Sequence, residues 1–233
     1  MRLASRMIEE VVRKHWRAIE GSHKPGAWGA LDSGYAEAHR AYHTWAHIAE
    51  LLEGLDAFHA LSSRPDLIAT AIFWHDAVYA TRGADGGRRT DFENVRDSGA
   101  LFREYTLLRA ADADAVHEMI MATADHLGAE ATRERYAGFG DDLGLFLDLD
   151  LSPLAASWET FAANLENIRF EFSSTPDAEF YSGQVRMLGL FLEAGAHLFR
   201  RAETRRKWLA PAKANLALCI EMLRANSGAG LVD

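Results

Sequence analysis

A histidine followed directly by an aspartate inside an apolar stretch carries most of the chemical content of this sequence. The stretch reads Ala71-Ile72-Phe73-Trp74-His75-Asp76-Ala77-Val78-Tyr79. On a helix, His75 shares the buried stripe of Ile68, Ala71 and Ile72, while Asp76 shares its side with Ile72 and Tyr79. A carboxylate in such surroundings is rarely buried without a partner. Adjacent helical residues diverge by about 100°, so the two do not touch, but both can reach one ion placed over the groove between them. His47 lies beside Ile48 with Leu51 four residues on, which turns it toward the core. A second pair of acids stands at Phe146-Leu147-Asp148-Leu149-Asp150-Leu151, where alternation of Asp and Leu fits no amphipathic helix and marks a helix end with one carboxylate turned inward. Two histidines and two carboxylates, His47, His75, Asp76 and either Asp148 or Asp150, form a set that suits a divalent cation.

Further polar residues could work on a substrate of such an ion. His43 precedes His47 by four residues, the spacing of many two-histidine sites if one helix spans both. His126 continues the stripe Val116, Met119, Ile120, Thr123 and should face inward. Either could donate a proton to a leaving oxygen. Asp76 could take one from water as well as bind the ion. Arg169 flanks Leu165 and Phe172 and is the best anion-binding candidate on a helix, with Arg82, Arg88 and Arg89 in a glycine-rich loop that could close over a ligand.

The elements that must position these residues are helical. Apolar residues recur at helical spacing over about 3–20, from Trp45 through Leu55, from Pro65 to Tyr79, and over about 91–107, 112–126, 141–149, 157–172, 177–195 and 204–225. Thr44 is the expected N-cap of the second of these, Pro65 suits the first turn of the third, and Gly195 closes the helix that Asp177 opens. Residues 21–34, 81–89 and 127–137 read as loops. Period-two alternation, repeats and linker-like composition are absent, so the expectation is a single all-α domain over 1–233, built as a bundle with short connections.

Composition narrows the classes. Of 233 residues, 48% are hydrophobic, enough for a sizeable core, and the formal net charge is −9. That balance argues against a nucleic-acid polymer or an anionic membrane as the main partner. With Cys219 alone, a disulfide within the chain is impossible and metal chemistry must use nitrogen and oxygen ligands. The absence of a long apolar run or a signal-like start leads to the expectation of a cytoplasmic protein.

The order His, His-Asp, Asp resembles the HD superfamily of metal-dependent phosphohydrolases, and more narrowly a bacterial family of predicted HD-superfamily hydrolases of unestablished substrate. The matching pieces are Tyr42-His43-Thr44-Trp45-Ala46-His47-Ile48, Phe73 to Tyr79, Asn94 with Ser98, Ala122-Thr123-Ala124-Asp125-His126, Leu147 to Leu151, Ile168-Arg169-Phe170-Glu171-Phe172, Arg186 with Leu188, and Asn215-Leu216, over about residues 40–220. The resemblance implies an HD-type helical fold and hydrolysis of a small phosphorylated molecule, such as a nucleotide. It implies one divalent ion (Mn, Fe, Co, Ni, Zn or Mg) on His47, His75, Asp76 and a last aspartate. Asp150, followed by Leu151-Ser152-Pro153-Leu154, resembles that last ligand better than Asp148, which would then pair with Arg169 or orient a ligand histidine. Asp76, His126 and His43 become the candidate catalytic groups, and Arg169, Asn94, Glu93 and Tyr79 the candidate substrate contacts. The chain departs from the family in a longer loop at 80–91 and in Glu93-Asn94, where the acid precedes the amide. Two other readings share the scaffold: a di-iron oxygenase, with His43 and His126 as added ligands, and a non-catalytic metal or ligand sensor. The sequence leaves open whether the chain forms a homo-oligomer.

Overall fold

Two helices without a polar face organise the fold. The computed structural model describes residues 2–128 and 140–228. In chain order its α-helices are α1 (Arg2–Ile19), α2 (Ala27–Tyr35), α3 (Trp45–Phe58), α4 (Pro65–Trp74), α5 (Asp91–Tyr105), α6 (Ala110–Ala122), α7 (Gly140–Asp150), α8 (Trp158–Glu171), α9 (Asp177–Ala194) and α10 (Ala202–Gly228). Every residue of α4 from Leu67 to Trp74 is buried, as is every residue of α7 from Asp142 to Leu149. A helix that is apolar all round must be enclosed. Accordingly α1, α3, α5, α6 and α7 pack around α4, and α3, α4 and α6 pack around α7. One contiguous core runs from Val12 in α1 to Leu223 in α10.

Among the described residues there is no strand, only isolated bridges between His23 and Thr106 and between Arg82 and Arg88. The all-helical expectation holds in that form. Thr44 caps α3, its hydroxyl accepting from the Ala46 amide at 3.3 Å, and Pro65 opens α4. Gly195 ends α9 at φ 58°, a left-handed value that favours glycine. No described helix is long and apolar enough to cross a membrane.

Three expected boundaries are corrected. Of residues 21–34, read as loop, those from 27 on belong to α2, whose Ala27, Leu31 and Tyr35 make a single buried stripe between glycines. Gly34 is required there, since a Cβ at that position would lie 2.6 Å from the Ala77 carbonyl. The helix expected to reach Tyr79 stops at Trp74, and the last elements before His126 are the end of α6 at Ala122 and a 3-10 turn over 123–125. Of the loop expected at 127–137, the part from 129 on lies outside the described residues.

Candidate metal centre

The two buried helices end at one place. His75 is the C-cap of α4, its amide still donating to Ala71 O at 2.9 Å, and Asp150 is the last residue of α7. Helix C-termini carry partial negative charge, so this junction favours a cation before any side chain is counted. His47, third residue of α3, is held over it by the Thr44 cap.

Nitrogen and oxygen atoms of His47, His75 and Asp150 lie within 4.8 Å of one another. Asp150 Oδ1 is 3.3 Å from His47 Nε2 and 3.4 Å from His75 Nε2. Asp76 Oδ2 is 3.0 Å from His75 Nε2 and 3.7 Å from His47 Nε2. Ligands bound at about 2.0–2.2 Å to one ion stand roughly 3 Å or slightly more apart, which these spacings match or slightly exceed. His75 Nδ1 donates to Ile72 O at 2.9 Å, which fixes the proton on that nitrogen and leaves Nε2 as a lone pair. His75 Nε2 is buried and has no hydrogen-bond partner among the described residues. A lone pair facing two carboxylates without a donor between them calls for a positive species, an ion or a proton. The charge balance shows the same pull. Burial disfavours ionised Asp150, but the facing histidines, His75 foremost, hold it well below the usual carboxylate range. Burial likewise disfavours charged His75, yet Asp76 and Asp150 raise it well above its usual value.

Searches against protein-family models, curated proteins and solved structures find no match for this chain.

Asp76 is positioned through its backbone. Buried Arg40 donates from Nη1 to Asp76 O at 2.6 Å and from Nη2 to Ala77 O at 3.1 Å, while Glu37 accepts from its Nε at 2.9 Å. The chain beyond is clipped to α5. Ser98 Oγ accepts from the Val78 amide at 3.0 Å and donates to Val78 O, and the Asn94 side chain brackets Ala80, accepting from its N at 3.1 Å and donating to its O at 3.0 Å. Asn94, expected at the substrate, borders the cavity but has its amide engaged in this clip.

His43 and His47 do not share a helix, because Thr44, the expected N-cap, starts α3 between them. His43 is held instead by Glu171 at the end of α8. Glu171 Oε1 accepts the amides of Ala41, Tyr42 and His43 at 2.8, 2.8 and 2.9 Å, and Oε2 lies 2.6 Å from His43 Nδ1. Three convergent amides make a natural anion nest. They and His43 outweigh the burial that would raise Glu171, so its carboxyl is lowered. Burial alone would lower His43, but Asp76 and Glu171 raise it. The His43 ring stacks on Tyr79 with centroids 3.7 Å apart. His126 reaches Asp150 directly, Nε2 to Oδ2 at 2.8 Å.

The site borders a cavity of about 420 Å³, within the range of small-molecule sites. Tyr42, His43, His47, Asp76, Tyr79 and Asp150 are among its polar lining.

Other expected contacts are elsewhere. Asp148 is fully buried and neither pairs with Arg169 nor touches a histidine; it accepts from the amides of Arg200 and Arg201 at 2.7 and 2.8 Å and from Thr204 Oγ1 at 2.5 Å, capping α10. Residues two apart on a helix point about 200° apart, so Asp150 at the centre puts Asp148 on the far side. Arg169 is consumed by Asp177 and by the Phe172 and Thr175 carbonyls, and it is not among the described residues lining the cavity. Glu93 is half-buried, closes a capping box with Thr90 and is not among the described residues lining the cavity. Arg82, Arg88 and Arg89 tie their loop to Ser174, Glu179 and Asp97 rather than to the cavity. Sequence reasoning misses Arg40 and gives Glu171 no role. Glu171 stands out only as part of the matching piece Ile168 to Phe172, and Arg40 only by its place just before the residues that precede the helix cap.

Proposed function

We propose that this chain is a metal-dependent phosphohydrolase of the HD type, holding one divalent ion on His47, His75, Asp76 and Asp150. The observation that carries the reading is the buried His75 Nε2, which lacks a hydrogen-bond partner among the described residues and faces Asp76 and Asp150, two carboxylates that line the cavity. A divalent ion bound there would supply Lewis-acid chemistry, withdrawing charge from a phosphoryl oxygen and acidifying water. Mn, Fe, Co, Ni, Zn and Mg all accept such mixed nitrogen and oxygen donors.

The chain's own groups supply the proton transfers. Asp76, kept ionised by His75 and His43 despite its burial, accepts a proton from the attacking water. His43 acts as the acid. Glu171 accepts the hydrogen bond from Nδ1–H, which leaves Nε2 to carry the mobile proton, and Asp76 and Glu171 raise the affinity of His43 for it. Stacking on Tyr79 fixes the ring plane. His126 holds Asp150 by its second oxygen, a positioning role.

The deciding experiment is turnover of a panel of phosphate esters and nucleotides by metal-reconstituted protein, with and without chelator. Chelator-sensitive release of phosphate supports the reading, and no release with any of these metals overturns it. One observation favours the oxygenase alternative: His126 sets a further nitrogen donor beside Asp150. Two irons per chain with a visible absorbance band would establish that alternative.

A further inference from the structure

The cavity lining is of two kinds. Besides the polar groups, Leu154, Ile168, Phe172, Met187, Leu190 and Phe191 form an apolar wall contributed by α8, α9 and the turn after α7. Met187 is 38% and Leu190 58% exposed, which leaves large apolar side chains open to solvent at the mouth of a site. Contiguous apolar surface of this kind in a cavity marks contact with a ligand. Set in the same wall is Gln184, 9% exposed, whose buried Oε1 has no hydrogen-bond partner among the described residues. A buried amide oxygen left so is expected to meet a donor from outside. The charge of the cavity is one-sided. Asp76, Asp91, Asp125 and Asp150 line it, and no Lys or Arg does among the described residues. A nucleoside triphosphate brings several negative charges that four carboxylates repel, and one ion does not balance them all.

We infer that the substrate joins one small metal-binding head group to an apolar body with a hydrogen-bond donor for Gln184, rather than being a polyanion. This rests on the cavity being the substrate site of the metal centre proposed above. The head group lies at His47, His75 and Asp150. The body lies along α9, where each added methylene leaves water for the wall of Met187, Leu190 and Phe191.

The test uses two probe series on metal-loaded protein, n-alkylphosphonates and n-alkylhydroxamates from methyl to hexyl, with dissociation constants measured by calorimetry. Transfer of a methylene to an apolar wall gives roughly a two- to fourfold gain in affinity. The expected result is that gain per carbon in both series, abolished in Leu190→Asp and kept in Leu218→Ser, an exposed site on α10 away from the cavity. Both positions are solvent-facing, so folding is not at stake. Affinity that does not change with chain length, or no binding of either series, overturns the inference. Its fate separates from that of the phosphohydrolase reading. A chain-length gain for hydroxamates without turnover of any phosphate ester keeps the inference and removes the hydrolase, whereas turnover without chain-length dependence does the reverse.

Discussion

Asp148 and Asp150 stand two residues apart in one helix and do unlike work. Asp148 closes the start of α10 from inside the core, and Asp150 meets three histidines. Asp148→Asn replaces one acceptor with a donor that faces donors, a loss of about 1–3 kcal/mol. It is expected to lower Tm by several degrees and leave metal content unchanged, as thermal denaturation and elemental analysis would show. Asp150→Asn is expected to lose most of the metal. At the same scale, the His43–Glu171 pair sets a pH window. Glu171 is lowered from 4.5, so its contribution to stability is full above that value and is lost as pH falls through the lowered one. His43 is raised from 6.5, so its contribution is full below that value and is lost as pH rises through the raised one. Glu171→Gln removes the acceptor of the Nδ1 proton, and the alkaline limb of a kcat–pH profile is expected to move to lower pH. An unmoved limb would deny Glu171 its positioning role. The chemistry-bearing residues are legible in the sequence because polar side chains in apolar stretches stand out. Arg40 and Glu171 are not, because they act on backbone groups far away in the chain.

At the scale of elements, strong periodicity is enough to find most helices, and the boundaries fail where long-range bonds take over. The apolar pattern continues past Trp74 to Tyr79, but Arg40 captures the Asp76 and Ala77 carbonyls and Ser98 captures both polar groups of Val78. These partners lie far from the segment in sequence, so no local pattern announces the helix end. In α2 the signal is hidden in glycines, one of which is needed for close approach to Ala77. The clip from α5 is a separable device. Asn94→Ala leaves the Ala80 amide and carbonyl without their partner and is expected to cost about 1–3 kcal/mol, visible as a lower Tm. Metal binding is expected to weaken as well, because the segment that carries Asp76 loosens. Unchanged stability would show that the Asn94 amide is free to act on a ligand instead.

At the scale of the whole molecule, the enclosure of α4 and α7 makes the centre a product of the core. Their ends meet in the interior, where α1, α3, α5 and α6 pack around α4, and α3 and α6 pack around α7. An ion bound at that junction binds the folded chain alone, so it adds about 2.7 kcal/mol at a hundredfold excess over its dissociation constant. Chelation is therefore expected to lower Tm by several degrees without changing the helical far-ultraviolet spectrum. The most direct measurement is elemental analysis of the purified, metal-reconstituted chain beside His75→Ala and Asp76→Ala, each checked for helical content. A metal centre at this junction predicts about one divalent ion per wild-type chain and its loss from both variants. Stoichiometric metal in both folded variants, or none in the wild type, would contradict it.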